Sequence, residues 1–136
     1  MKLKVWTDGA FSALRDQGGV GIVMLEDDKK ILEYSNMYKR TSNNQMELAA
    51  VIISLRIIKK KYDSIEIYTD SQYVIGCATL GWKRKKNRKL WEEFDKQYQR
   101  VSELCLNIKF IHVKGHNGDM YNEICDALAV NASKMI

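Results

Sequence analysis

Apolar and β-branched residues recur in short runs along the chain and predict five β-strands. Each run is bounded by turn-forming or charged residues, as strands of a globular domain usually are. The predicted strands are Lys2–Asp8, Gly19–Leu25, Ile31–Tyr38, Ser64–Asp70 and Asn107–Val113. Short connections at Ala10–Gly18 and Glu26–Lys29 join the first three, so we expect those strands to form an antiparallel meander.

Apolar residues at helical spacing predict four helices. Before the first helix, Ser42-Asn43-Asn44-Gln45 has the S-x-x-Q form of a capping box. We expect this helix to end in Lys59-Lys60-Lys61, whose charges suit the negative C-terminal end of a helix. The other helices are predicted over Gln72–Ala78, from Leu90 to Leu104, and around Ile124 to Leu128.

These elements together predict an α/β fold with a five-stranded mixed sheet flanked by helices. A helix that crosses between two strands requires parallel pairing, most economically between the strands that end at Asp8 and Asp70. With 136 residues, the chain is long enough to bury a core, and we expect a single domain over residues 1–136.

Composition favours a cytoplasmic protein. No apolar run approaches the length of a membrane span, and the N-terminal residues read as a charged strand instead of an apolar signal segment. Cys77, Cys105 and Cys125 are odd in number and widely spaced, which favours buried free thiols in a reducing compartment. We expect a monomer with no membrane partner.

The net charge of +5 is concentrated in one segment. Residues 83–89 hold six basic side chains and no acidic ones, so the rest of the chain carries −1; the basic residues are Lys83, Arg84, Lys85, Lys86, Arg88 and Lys89. A solvated loop and a phosphate-contacting patch both explain such a run. Trp82 and Trp91 flank it, and aromatic residues beside basic ones are common in nucleic-acid-binding surfaces.

Two predicted strands end in the dipeptide Thr-Asp, at Asp8 and Asp70. If these strands are neighbours, two carboxylates meet at one place on the sheet, which is unfavourable unless a cation is present. Two further acids lie beside apolar helix positions, Glu47 in the first turn of the first helix and Asp126 in the last helix. Each of these is also explained as an ordinary surface acid, and Glu47 as a residue that favours the positive end of its helix.

Five motifs in this order resemble those of type 1 ribonuclease H. They are Thr7-Asp8-Gly9, the segment from Thr41 to Leu48, the segment from Thr69 to Val74, Val113-Lys114-Gly115-His116-Asn117-Gly118, and Asn122-Glu123-Ile124-Cys125-Asp126. They extend over residues 7–126, nearly the whole chain. The resemblance therefore implies a ribonuclease H-like fold and a metal-dependent endoribonuclease.

The resemblance also implies a metal site. Asp8, Glu47, Asp70 and Asp126 match the four metal-binding carboxylates, and oxygen ligands of this kind suit Mg²⁺. Two Mg²⁺ ions, with Mn²⁺ as a substitute, would clamp an in-line phosphoryl displacement. His116 matches an auxiliary histidine of the family. A zinc site that uses it is disfavoured, because the chain lacks the other ligands at suitable spacing.

The implied substrate is an RNA–DNA hybrid, with the RNA strand cut to leave 5′-phosphate and 3′-hydroxyl ends. A hybrid exposes 2′-hydroxyls in a wide, shallow minor groove, which short polar side chains can reach. Matching positions imply groove contacts by Asn43, Asn44 and Gln72, a DNA-phosphate pocket at Arg40, Ser42 and Asn87, and basic contacts by Lys83, Arg84, Lys85 and Lys86. Trp82 is explained equally well by the DNA channel and by core packing.

Two departures from the family pattern affect substrate binding. Leu14 stands where a polar minor-groove contact is expected, in the altered loop Ala10–Gln17. The basic segment looks like a shortened form of the helical handle that bacterial members often insert. Two other functions stay open, a DNA-directed nuclease of the resolvase or integrase type and a non-catalytic hybrid-binding module.

Overall fold

The computed structural model describes residues 1–114 and 119–135, and within them the chain forms five strands and four helices. In chain order these are β1 (Lys2–Ser12), β2 (Gln17–Glu26), β3 (Lys29–Lys39), α1 (Asn43–Ile57), β4 (Tyr62–Thr69), α2 (Gln72–Thr79), α3 (Arg88–Ser102), β5 (Cys105–His112) and α4 (Met120–Ser133). Every predicted element is present, with bounds shifted by a few residues. None of the helices in these ranges is long and apolar enough to cross a membrane.

The five strands form one mixed sheet in the order β3-β2-β1-β4-β5. β1, β2 and β3 pair antiparallel, while β4 runs parallel to both β1 and β5. The predicted meander and the predicted parallel pairing of the first and fourth strands are therefore confirmed. α1 makes the crossover between the third and fourth strands, as the pairing requires.

Helices cover both faces of the sheet. Alternate residues of β1 point to opposite faces, so Leu3 and Val5 pack in the larger core with residues of α1, α2 and α3. Trp6 points to the other face, where it packs with Val23 and with Cys125 of α4. β1 is thus the central strand that both helical layers contact.

The predicted loop Ala10–Gly18 is wrong at both ends. β1 continues to Ser12, and β2 begins at Gln17, with Ala10 paired to Gly19 and Ser12 paired to Gln17. Glycine disfavours strands in isolation and so signalled a loop. The reason for the glycine here is packing, because a Cβ at Gly18 would clash with the side chains of Met46 and Thr41.

The end of α1 also differs from the prediction. The helix ends at Ile57, so the three lysines that follow lie beyond it. Its last carbonyls are bound by Arg100 of α3, which donates from Nη2 to the oxygen of Leu55 at 2.6 Å and from Nη1 to that of Ile58 at 2.9 Å. A cation does complement this helix end, but it comes from a distant part of the chain.

Replacing Arg100 with methionine should lower the free energy of unfolding by about 1–3 kcal/mol, because it removes the two hydrogen bonds to α1 and one to Gln97 while keeping an apolar stem. Urea denaturation measures the loss. Lys59→Ala is the control and should have little effect, since Lys59 is exposed beyond the helix. Equal losses in the two variants would contradict this assignment.

Candidate metal centre

Asp8 and Asp70 meet where β4 ends. Parallel pairing of β1 with β4 extends to Trp6 and Tyr68, and each acid lies two residues further along its own segment. Asp70 directly follows β4, as predicted, but Asp8 lies inside β1 and not at its end. Beyond this point β1 pairs with β2 alone, so the side of β1 where β4 stops is left open for the two carboxylates.

Gly9 brings Glu47 to the same place. Its backbone N–H donates to Asp8 Oδ1 at 2.9 Å and to Glu47 Oε1 at 2.8 Å, so one amide holds a carboxylate oxygen of each residue. A Cβ at this position would clash with the backbone of Met46 and Glu47. Glycine is therefore required for the first turn of α1 to approach β1 this closely.

Among the described residues, Asp8, Glu47 and Asp70 form a group with one carboxylate oxygen of each within 4.8 Å of the others. Asp126 lies outside this group. It projects from α4, and its carboxyl group nevertheless comes close enough to interact with that of Asp8 and to raise its pKa. Four predicted residues are thus brought into one region by β1, α1, α4 and the end of β4.

Burial and the charges of neighbouring acids make the carboxyl groups of Asp8 and Glu47 hard to ionise. Burial is the main cause that raises the pKa of Asp8 to about 8, followed by the charge of Asp70. The pKa of Glu47 rises to about 10, again mainly by burial and then by the charges of Asp8 and Asp70, although the Gly9 N–H acts in the opposite direction. A bound divalent cation would supply the missing positive charge, and an all-oxygen ligand set fits a hard cation such as Mg²⁺ or Mn²⁺.

An open cleft of about 460 Å³ lies beside the start of α1. Five predicted substrate-binding residues line it: Ser42, Asn43, Asn44, Lys86 and Asn87. Gln45 also lines the cleft and was not predicted to bind substrate. Ser42 is also the N-cap of α1 and accepts from the Gln45 backbone N–H at 3.2 Å, as the predicted capping box requires. Arg40 is exposed just before the cleft, with a φ of 54°.

Asn87 is held in the cleft by a chain of hydrogen bonds. Its backbone is left-handed, with φ at 60°, a conformation that asparagine tolerates better than most residues. Its Oδ1 accepts from Gln45 Nε2 at 3.1 Å, and its Nδ2 donates to the Tyr73 hydroxyl at 3.0 Å. Trp91 Nε1 donates to the same hydroxyl at 2.9 Å. Gln45 thus holds Asn87 with its amide N–H, while its Oε1 accepts from the Thr41 hydroxyl at 3.0 Å, one residue before the N-cap.

Within the basic segment, one side chain is bound to the rest of the protein and others are exposed. Arg84 Nη1 lies 2.8 Å from both carboxylate oxygens of Asp95, and the guanidinium stacks 4.4 Å from the ring centre of Trp91. Lys83, Lys85 and Lys86 are exposed on an irregular stretch, with no helical handle. The six basic residues are therefore not equivalent, because the charge of Arg84 is already paired within the protein.

The remaining predicted site residues are Trp82, Gln72 and His116. Trp82 is half-exposed and also packs on α2, where a Cβ at Gly76 would clash with its ring. Gln72 is exposed as the first residue of α2, two positions after Asp70. His116 lies outside the residues that the structure describes.

Comparison with known proteins identifies the family. The family model described as RNase H matches residues 1–134. A protein named Ribonuclease H from Trichodesmium erythraeum is 36% identical over 144 residues, which cover 99% of this chain and 90% of that protein. Another with the same name, from Desulforamulus reducens, is 39% identical, with 98% of this chain and 88% of that protein covered.

Solved structures share the fold. The crystal structure of RNase H1 from the halophilic archaeon Halobacterium salinarum matches with a TM-score of 0.75 at 25% identity, covering 97% of each chain. The N-terminal RNase H domain of a Mycobacterium tuberculosis protein matches with a TM-score of 0.80 at 23% identity, over 97% of this chain and 93% of that one.

The raised pKa values predict how pH affects the stability of the metal-free protein. Because the pKa of Asp8 is about 8 when folded and about 4 when unfolded, this group binds a proton more tightly in the folded state. Its contribution to stability is therefore largest below about pH 4 and is lost as the pH rises through about 8. In chelator, the melting temperature should fall as the pH rises from about 4 to about 8.

Replacing Asp70 with asparagine removes a charge that raises the pKa of both Asp8 and Glu47. At pH 8 in chelator this variant should melt about 3 °C or more above the wild type. Asp16→Asn is the control, since Asp16 is an exposed turn acid whose φ of 46° asparagine tolerates. If the two variants shift the melting temperature equally, repulsion within the acidic group is not its cause.

Proposed function

The chain belongs to the RNase H family, and from this we propose that it is an endoribonuclease that hydrolyses the RNA strand of RNA–DNA hybrids and leaves 5′-phosphate and 3′-hydroxyl ends. The observation that carries the proposal is the group of three carboxylates, Asp8, Glu47 and Asp70, within 4.8 Å of one another on this fold. Close, buried acids do not stabilise the fold, since repulsion between them opposes folding.

Divalent metal ions are general cofactors of the RNase H family. We assign two Mg²⁺ ions to this site, with Mn²⁺ as a substitute, and Asp8, Glu47, Asp70 and Asp126 as their ligands. When bound, two such ions supply an activated water and stabilise the departing oxygen of a phosphodiester. The protein supplies the orientation, because the Gly9 N–H fixes one oxygen of Asp8 and one of Glu47 before any ion binds.

Substrate recognition is assigned to the cleft beside α1. Asn87 has its side-chain amide fixed by Gln45 and Tyr73, so it is preorganised to meet a phosphate of the DNA strand together with Ser42 and Arg40. Contacts to the minor groove are assigned to the exposed side-chain amides of Asn43, Asn44 and Gln72, which are close in sequence to the acidic residues. Each amide can both donate and accept hydrogen bonds in that groove.

Charge completes the proposed interface. Lys83, Lys85 and Lys86 attract the backbone of the hybrid, while Arg84 anchors their segment through Asp95. His116 keeps its proposed auxiliary role in proton transfer or product release.

We further propose that the chain acts as a single-domain monomer in the cytoplasm. The family match over residues 1–134 supports one domain. The three free cysteines suit a reducing compartment.

Asp70→Asn should abolish cleavage while the protein stays folded, because it removes one of the three grouped carboxylates without changing side-chain size. The assay uses end-labelled RNA–DNA hybrid, duplex RNA and duplex DNA, each with Mg²⁺, Mn²⁺ or chelator. Wild-type protein should cut only the RNA of the hybrid and only with metal. Asp16→Asn should retain wild-type rates.

Each other outcome of this assay contradicts a named part of the proposal. Cutting of duplex DNA would favour a DNA-directed nuclease of this fold. Hybrid binding without cutting in any metal would favour a binding module. A fully active Asp70→Asn protein would remove the acidic group from the mechanism.

Neutralising Lys85 and Lys86 to glutamine should weaken hybrid binding at low salt and reduce the slope of log affinity against log salt by about two. Lys59 and Lys61 changed to glutamine form the matched control, since these exposed lysines follow the opposite end of α1 from the cleft. Filter binding over a salt series in chelator gives both slopes. Identical slopes for the two double variants would exclude the lysines from the interface.

A further inference from the structure

Two hydrogen bonds join α4 and its N-cap to Trp6 of β1. The indole Nε1 of Trp6 donates to Asp119 Oδ2 at 3.1 Å, and the Trp6 carbonyl accepts from Cys125 Sγ at 3.2 Å. Asp119 is also the N-cap of α4, and its Oδ1 accepts from the backbone N–H groups of Tyr121 at 3.0 Å and Asn122 at 3.1 Å. One carboxylate therefore joins the start of α4 to the strand that carries Asp8.

An aromatic stack fixes the Trp6 ring. The centre of its ring lies 4.5 Å from that of Tyr68 on β4, with 7° between the ring planes, and 4.8 Å from that of Tyr121 on α4, which is tilted against it. Trp6 and Tyr68 are register partners, and each stands two residues before an acid of the site. The indole ring thus packs against Tyr68 and Tyr121, which gives its N–H a defined direction toward Asp119.

α4 is also held at its C-terminal end, where Gln17 Nε2 of β2 donates to the carbonyl oxygens of Ser133 at 2.9 Å and of Met135. Gly19 and Gly21 of β2 lie under the helix, and a Cβ on either would clash with its backbone. The two glycines allow close approach, and beside them Val23 and Leu25 of β2 pack in one apolar cluster with Cys125 of α4. Asp126 lies seven residues after Asp119, two turns along the same helix, so an axial shift of α4 moves its carboxyl group relative to Asp8.

We propose that Asp119 and Trp6 are positioning residues: their hydrogen bond fixes the N-terminal half of α4 against β1, so that the Asp126 carboxyl group faces Asp8. The inference rests on the proposed function, in which Asp126 is a metal ligand. Neither residue touches the substrate or the ion in this assignment, and the effect passes through α4.

Two conservative substitutions remove the same hydrogen bond from opposite sides. Trp6→Phe removes the indole N–H and keeps an aromatic ring against Tyr68 and Tyr121. Asp119→Asn keeps a capping oxygen but turns an amide N–H toward the indole N–H, so that two donors face each other. Asp126→Asn serves as the reference for loss of the Asp126 carboxylate itself.

The first measurement is Mn²⁺ binding by isothermal titration calorimetry, which requires no activity. Trp6→Phe and Asp119→Asn should each weaken Mn²⁺ binding by about tenfold, in the direction of Asp126→Asn. The double variant should be no worse than either single variant, because one hydrogen bond is lost in all three. On the hybrid, kcat at fixed Mg²⁺ should fall while KM stays unchanged.

Tyr62→Phe is the control. It removes a hydroxyl that donates to Glu26 at 2.7 Å, a carboxylate hydrogen bond with no link to α4. This variant should lose stability but bind Mn²⁺ as the wild type does. If Asp119→Asn unfolds, Asp119→Ser provides a second test, since serine keeps the cap and is too short to reach the indole.

The proposal is overturned if Trp6→Phe and Asp119→Asn lower the melting temperature yet bind Mn²⁺ with wild-type affinity. Asp119 is then only a helix cap. It is also overturned if Asp126→Asn leaves Mn²⁺ affinity unchanged. The wild-type protein could also fail to cut the hybrid while the variants lose Mn²⁺ affinity as expected. That result contradicts the proposed function but supports the positioning role.

Discussion

The close approach of β1 and α1 at Gly9 is the constraint on which the site depends. Only a residue without a side chain leaves room for the backbone of Met46 and Glu47 at this point of the strand. The same residue then uses its single N–H to hold oxygens of Asp8 and Glu47. Space and hydrogen bonding at one position therefore place two acids that are 39 residues apart in the sequence.

This arrangement opposes folding, and the rest of the molecule offsets it. Burial, together with the charge of Asp70, raises the pKa of both Asp8 and Glu47, so their ionised forms are disfavoured without a cation. Apolar layers on both faces of the sheet, one with α1, α2 and α3 and one with α4, supply the opposing stability. The same acids attract the divalent ions that an enzyme of this family needs, which explains why the cost to folding is tolerated.

Around the site, polar side chains act mainly as supports for other polar side chains. Gln45 and Tyr73 fix Asn87, and Asp95 and Trp91 fix Arg84. Few of these contacts connect neighbours in sequence, so they are formed only when the elements have packed. Preorganisation of this kind lowers the ordering entropy that a nucleic-acid partner would otherwise have to overcome.

The sequence by itself determined the number, order and type of the elements, because hydrophobic periodicity and caps such as Ser42 act over a few residues. It also identified the four acids, through the spacing of motifs that resemble a known family. Tertiary structure alone decided that Gly18 belongs to a strand under close packing, and that Arg100, not Lys59-Lys60-Lys61, binds the end of α1. Likewise, only the fold showed that Arg84 is paired internally while its neighbouring lysines are exposed. These outcomes depend on which distant residue occupies a given space or accepts a given hydrogen bond, and local pattern carries no information about that.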